Sequence, residues 1–207
     1  MTSHIDSHFD EALTGLKQQI LLMGSKVETM VADCIKALKT KDQKLANKVI
    51  EVDHSVNALE VAIDEQCIHL LARYQPAASD LRFITRGLKI VTDLERVGDL
   101  AVNAAQRVID IVAEHGVSPI DLSGMAKSVQ TMLKNSLDAF VEMDVKKAES
   151  VLQSDDEVDE LTEKYVTELL ELVSREPQKI KTIFPITSIV RYLERIADHS
   201  TNIAELA

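Results

Sequence analysis

Glu95 and Asp99 stand four residues apart, and so do Glu194 and Asp198. On a helix that spacing points two carboxylates the same way, one turn apart. Both pairs lie in one frame, Leu-Glu-Arg-[Val/Ile]-[Gly/Ala]-Asp-x-x-x-Asn, repeated at a distance of 99 residues. Glu95 follows Val91 by four and Leu88 by seven, which puts it on the edge of an apolar stripe. Carboxylates there lose water, and two of one sign repel. A bound cation or a nearby arginine relieves both effects. Oxygen ligands suit hard cations: magnesium, manganese, calcium or iron. Zinc is less suited, because no Cys/His set accompanies the acids.

Long helices must present these groups, and helical periodicity runs along almost the whole chain. The first predicted helix spans Ser7 to Leu38, with Leu16, Ile20, Met23, Val27, Met30, Val31 and Cys34 on one stripe. Lys39–Lys41 is a turn, and Asp42 caps a second helix that runs to Tyr74. Pro76 ends it, since proline disfavours helical geometry at the residue before it. A third helix runs from Ala77 to His115. Gly116-Val-Ser-Pro119 is a breaker and the expected domain boundary. The fourth helix is expected over Ser123–Met143, the fifth over Asp144–Arg175, and the sixth from Pro177 to the end. Pro185 is expected to kink the sixth or to delay its start.

Helices this long, joined by turns this short, fold back on one another. The fold class is all-α: two tandem antiparallel three-helix bundles related by internal duplication, over residues 1–116 and 120–207. A second internal match supports the duplication. Asp42, Ala46, Val49, Asp53 and Val56 align with Asp144, Ala148, Val151, Asp155 and Val158 at an offset of 102 residues.

The turns also say which side chains meet. Reflected through the turn near residue 75.5, Asp53 and Asn57 fall beside Asp99 and Glu95. Reflected through the turn near 176, Asp155 and Asp159 fall beside Asp198 and Glu194. Glu28 reaches the level of the first group through the turn near 40. Each bundle then carries one acidic cluster on a helix–helix seam. Spacing leaves a second reading open. Arg96 and Arg195 stand three residues before Asp99 and Asp198, where local ion pairs can satisfy the acids without metal. Acid pairs four apart are also ordinary on acidic helices, Glu60/Asp64 being another.

Composition narrows the function classes. The 207 residues are 45% hydrophobic and 28% charged, the balance of an ordinary folded protein. Net charge is −11, so nucleic-acid phosphates would be repelled and no nucleic-acid partner is expected. Cys34 and Cys67 form no Cys-x-x-Cys pair and read as small buried hydrophobes. No window approaches the run of about 20 apolar residues that a membrane span needs, and no signal region marks Met1–Asp10. A cytoplasmic protein is expected.

The duplicated Leu-Glu-Arg-[Val/Ile]-[Gly/Ala]-Asp segments resemble the Glu/Asp-x-x-x-Asp signature of the PhoU family of phosphate-transport regulators. Gln75-Pro-Ala-Ala-Ser-Asp-Leu-Arg82 is similar to that family's entry to its third helix, and Val61-Ala-Ile-Asp-Glu65 to a further stretch. The resemblance covers residues 8–206. It implies a negative regulator of the phosphate regulon that couples a phosphate ABC transporter, through its ATPase subunit, to a phosphate-sensing histidine kinase. It also implies a homodimer, peripheral contact with the inner face of the membrane through partners, and divalent or trivalent metal: iron, manganese, magnesium, zinc or calcium. Carried over to this sequence, the ligands are Glu95, Asp99, Glu194 and Asp198, with Asp53, Asp155 and Asp159 secondary. Asn57 departs from the pattern where the second half has Asp159, and Ala197 stands opposite Gly98. Only nine residues follow Asp198, which leaves room for a natural protein to continue beyond Ala207.

Two rivals stand beside this reading. A di-iron carboxylate oxidase wants two Glu-x-x-His motifs, and the chain has one, Glu51-Val-Asp-His54. A helical adaptor without a phosphate role needs none of the acidic seams. No Walker pattern and no Ser/His/Asp set is found, so no catalysis is expected. His199, beside Asp198, reads as a solvated surface histidine.

Overall fold

The computed structural model of the chain describes residues 2–207, with side chains from residue 8 onward. Met1, the first residue of the first expected unit, lies outside the described residues. Six α-helices and no strand make up the described residues: α1 (Thr2–Thr40), α2 (Gln43–Tyr74), α3 (Ala78–Ala113), α4 (Ser123–Glu142), α5 (Val145–Arg175) and α6 (Ile180–Glu205). A 3₁₀ turn, Pro177–Lys179, leads into α6. Helix α1 starts five residues ahead of the predicted Ser7, in a segment whose one apolar residue, Ile5, marks no stripe. Helix α6 starts ahead of Pro185 and runs through it. The proline lies near the helix start, where it removes only one backbone hydrogen bond, to the carbonyl of Lys181.

The second helices of the two units, α2 and α5, begin in the same way. Asp42 Oδ1 accepts from the backbone N–H of Lys44 and of Leu45, both at 3.0 Å. Asp144 Oδ1 accepts from the N–H of Lys147 at 3.1 Å. Each aspartate satisfies donors that a helix start leaves free. Asp42→Ala is therefore expected to lower stability by about 1 kcal/mol. Urea unfolding of the full chain checks this, and an unchanged midpoint would show that α2 does not depend on its cap.

Helices α1, α2 and α3 pack on one another, and so do α4, α5 and α6. The two units meet through α3 on α6 and α1 on α4. Three contacts fix the direction of the first pair. Arg86 Nη1 donates to the Ala207 carbonyl at 3.3 Å, Asp93 meets His199 at 2.8 Å, and Glu114 meets Lys181 at 3.5 Å. Helices α3 and α6 thus run antiparallel, with both Leu-Glu-Arg motifs near the middle of the pair. Phe83 of α3 stacks on Phe140 of α4 at 4.7 Å between ring centres. Gly24 of α1 leaves the space that the Leu137 side chain of α4 fills; a Cβ there would collide with it.

Both units therefore share one continuous core, from Leu16 and Ile20 of α1 to Ile196 and Ile203 of α6. This widens the buried face of α3. The apolar residues at helical spacing along α3 are not all fully covered: Leu88, Val102, Ile109 and Val112 are only half-buried. The fully covered positions include Ile84, Ile90, Leu94, Val97, Ala105 and Val108. A helix packed both into its own bundle and against a second bundle buries more than one stripe.

Candidate functional site

The acids of the first seam come from α2 and α3. Asp53 Oδ2 accepts a hydrogen bond from Asn57 Nδ2 at 3.0 Å, one turn along α2. Asp53 Oδ1 and Asn57 Oδ1 are buried with no partner among the described residues. The close approach of the helices depends on Gly98, where a Cβ would stand 3.3 Å from Asp53 Oδ1. Burial holds the Asp53 carboxyl above its ordinary range, and Asp99 adds to this, while the Asn57 hydrogen bond opposes it. Glu95 is raised by burial, then by Asp99 and Glu60, with Arg96 acting against them. The mirror placement of Asp53 beside Asp99 is thus realised in space.

The second seam lies between α5 and α6. Burial pushes the Asp155 carboxyl up to about 6, with Asp159, Asp198, Asp156 and Glu194 adding to the shift in that order. Asp155 Oδ1 is another buried oxygen with no partner among the described residues. Asp198, more open to water, is also raised, by what burial it has and then by Glu194 and Asp159. A cavity of about 250 Å³ opens beside this group, lined in part by Asp159, Thr162, Arg191 and Glu194.

Arginines do pair with these acids, but only Arg96 does so as the spacing suggested: in the second seam the partner is Arg191, and Arg195 makes no ion pair among the described residues. Arg96 reaches Glu95 and Asp99, each at 3.5 Å, and Arg191 reaches Glu194 at 3.1 Å. Both arginines are mostly exposed, and such pairs contribute about 0–1 kcal/mol. They leave the inner oxygens of Asp53 and Asp155 unmatched. Among the described residues, no three His, Cys, Asp or Glu side chains converge tightly enough to cage a metal by themselves. The donors instead line two seams, each offering buried, unmatched oxygen on one wall and carboxylates on the other. That set fits a hard cation that keeps part of its water shell, the habit of Mg²⁺, rather than a closed zinc site.

Several positions differ from their sequence reading. Glu28 is not one of them: its neighbour Val27 stands 3.7 Å from a Cβ built on Gly98, at the level of the first seam, and Glu28 also acts electrostatically on Lys134 of α4. Glu60, by spacing an ordinary helix acid, adds to the field on Glu95. The mirror argument already carried that signal, since Glu60 reflects to residue 91, one turn from Glu95. His199 is not a solvated surface residue: it is half-buried and bonded to Asp93 across the α3–α6 contact. Glu51 and His54 are exposed, so the one Glu-x-x-His match faces solvent and not the bundle interior that a di-iron centre uses. Cys34 and Cys67 are buried and free. Burial pushes the Cys34 thiol up to about 12, and burial with Asp64 pushes Cys67 to about 11, so neither is a poised nucleophile.

A PhoU domain model matches residues 20–108 and again 122–207, one match for each three-helix unit and each acidic seam. The chain belongs to the PhoU family. A relative from Pseudomonas aeruginosa, described as a phosphate-specific transport system accessory protein PhoU homolog, is 41% identical over all of this chain and 86% of its own length. The Escherichia coli phosphate-specific transport system accessory protein PhoU is 34% identical, over 99% of this chain and 86% of that protein. The crystal structure of PhoU from Pseudomonas aeruginosa superposes with a TM-score of 0.90, at 41% identity and with 96% of each chain covered. That of the phosphate transport system regulatory protein PhoU from Streptococcus pneumoniae gives 0.88, at 32% identity, over 96% of this chain and 94% of the other. No helix in the described residues of this PhoU family member is long and apolar enough to cross a membrane.

Proposed function

We propose that this chain is an accessory regulator of phosphate-specific transport. It restrains the phosphate response when phosphate is plentiful, by coupling the ATPase subunit of a phosphate ABC transporter to a sensor histidine kinase. The observation that carries this reading is the two-fold PhoU domain match over a fold shared end to end with PhoU structures. Its natural setting is the cytoplasm, at the inner face of the membrane through its partners, as a homodimer. Helical surfaces, not a reaction, would then do the work. A partner state that fits the bundles better is stabilised, and its population rises.

The acidic seams give such a regulator a place for hard cations. Asp53, Glu95 and Asp99 would hold one group, and Asp155, Asp159, Glu194 and Asp198 the other. A bound cation neutralises acids that otherwise repel across α2–α3 and α5–α6. The protein's own part is to desolvate these carboxylates and hold them one turn apart on facing helices. Metal loading would then stiffen both bundles without chemistry.

The test is genetic. Deletion of the gene in its host is expected to raise alkaline phosphatase activity in phosphate-rich medium, and a plasmid copy to restore it to low. Unchanged low activity in the deletion would remove the chain from phosphate signalling in that host.

A further inference from the structure

Threonine hydroxyls inside these helices have a regular habit. Thr29, Thr85, Thr131 and Thr187 each donate to the carbonyl four residues earlier, at 2.8 to 3.1 Å. Such back-bonding is how a helix ordinarily satisfies a hydroxyl. Thr162 of α5 departs from it. The residue is 2% exposed, and its Oγ1 is buried with no hydrogen-bond partner among the described residues. A native structure rarely leaves such a group unmatched, and each case asks for an explanation. The side chain lines the cavity that Asp159 and Glu194 also line. Its counterpart in the first unit, at the offset of 102 residues that aligns Asp42 with Asp144, is Glu60. The charges are therefore distributed differently. The first seam carries an amide at Asn57 and an acid at Glu60; the second carries an acid at Asp159 and a hydroxyl at Thr162.

We propose that the Thr162 hydroxyl is a neutral oxygen donor to a hard cation held by Asp159 and Glu194, which makes the α5–α6 site chemically distinct from the α2–α3 site. The inference rests on the reading of the acidic seams as cation sites. Hydroxyl oxygen is a hard donor of the kind magnesium, calcium and manganese accept. Being neutral, it adds a ligand without adding to the repulsion among Asp155, Asp159, Glu194 and Asp198. Arg191 pairs with Glu194 from an exposed position and can turn to water when a cation takes its place.

The test is calorimetric titration of the metal-free full chain with Mn²⁺, in a background of Glu95→Gln/Asp99→Asn that silences the first seam. Thr162→Val keeps the shape and removes the oxygen. It is expected to weaken Mn²⁺ binding about 10-fold, within the range that supporting ligands command, while Thr162→Ser stays near the parent. Without metal, the valine variant is expected to melt no lower than the parent, because an unmatched hydroxyl has been removed. If valine binds Mn²⁺ as the parent does while Asp155→Asn/Asp198→Asn binds more weakly, the seam reading stands and Thr162 has no part in it. If the double variant is also unchanged, the seam reading falls first and takes this proposal with it. A serine variant as weak as valine, or a valine variant that melts lower without metal, would mark Thr162 as a packing residue and overturn the proposal.

Discussion

Leu94→Ala is expected to lower the melting temperature by roughly 4–20 °C. The side chain is 0% exposed, on the helix that packs into its own bundle and against α6. Removing a buried leucine loses transfer free energy and leaves a cavity, a combined loss of about 2–5 kcal/mol. For a chain of this size each kcal/mol moves the midpoint by roughly 2–4 °C. The neighbours make the position more than a stability probe. Asp93 turns toward His199 of α6, and Glu95 toward the first seam, so Leu94 anchors the turn that presents both. Leu170→Ala, at a site 58% exposed, is the control and should stay within about 0.5 kcal/mol of the parent. Differential scanning calorimetry reads both. A Leu94→Ala midpoint within about 2 °C of the parent would show that α3 does not hold the shared core.

The helices were legible because their apolar residues recur at the helical period and their breaks carry strong signals. Asp42 and Asp144 mark starts, Pro76 and Pro177 mark turns, and the structure uses all four. The fold class and the duplication follow from the same signals. What periodicity does not carry is the identity of the partner surface. It marks Met23 and Val27 as buried but is silent on which bundle covers them. Periodicity therefore does not reach the antiparallel crossing of α3 and α6, nor the half-burial of His199, whose partner, Asp93, lies in the other unit.

The acidic seams were legible for a different reason. A hairpin of two helices is a mirror, so an acid on one arm finds its neighbour by counting from the turn. That placed Asp53 beside Asp99, and Asp155 beside Asp198, before any coordinates. Counting cannot see a rotamer. Thr162 reads as one more helical threonine until its hydroxyl is found buried without a hydrogen-bond partner among the described residues. Nor can counting see how closely two helices approach, which at Asp53 is set by the missing side chain of Gly98.

In metal-free protein at pH 7.5, Asp155→Asn is expected to raise the melting temperature. The folded chain holds this carboxyl near 6, against 3.8 for an ordinary aspartate. Between those values the folded state binds the proton more readily than the unfolded one. Stability therefore rises as pH falls from about 6 to about 4, and the full penalty applies above 6. The group is partly open to water, so screening reduces that penalty to on the order of 1 kcal/mol, or roughly 2–4 °C. Asparagine removes the charge and keeps the shape. Its advantage should be complete at pH 7.5 and gone by pH 4. A cation in the second seam relieves the same repulsion, so the wild type should gain from Mn²⁺ at pH 7.5 and gain less at pH 5, where the proton competes. At a concentration of about 100 times Kd, one site adds about 2.7 kcal/mol, which exceeds the electrostatic penalty it replaces. Melting curves at several pH values, with and without Mn²⁺, separate the possibilities. An Asp155→Asn advantage that does not change with pH would mean that packing, not charge, governs the site. A variant less stable than the parent at pH 7.5 would mean that the carboxylate is already satisfied inside the protein, and the second seam would then have no unmatched charge for a cation to neutralise.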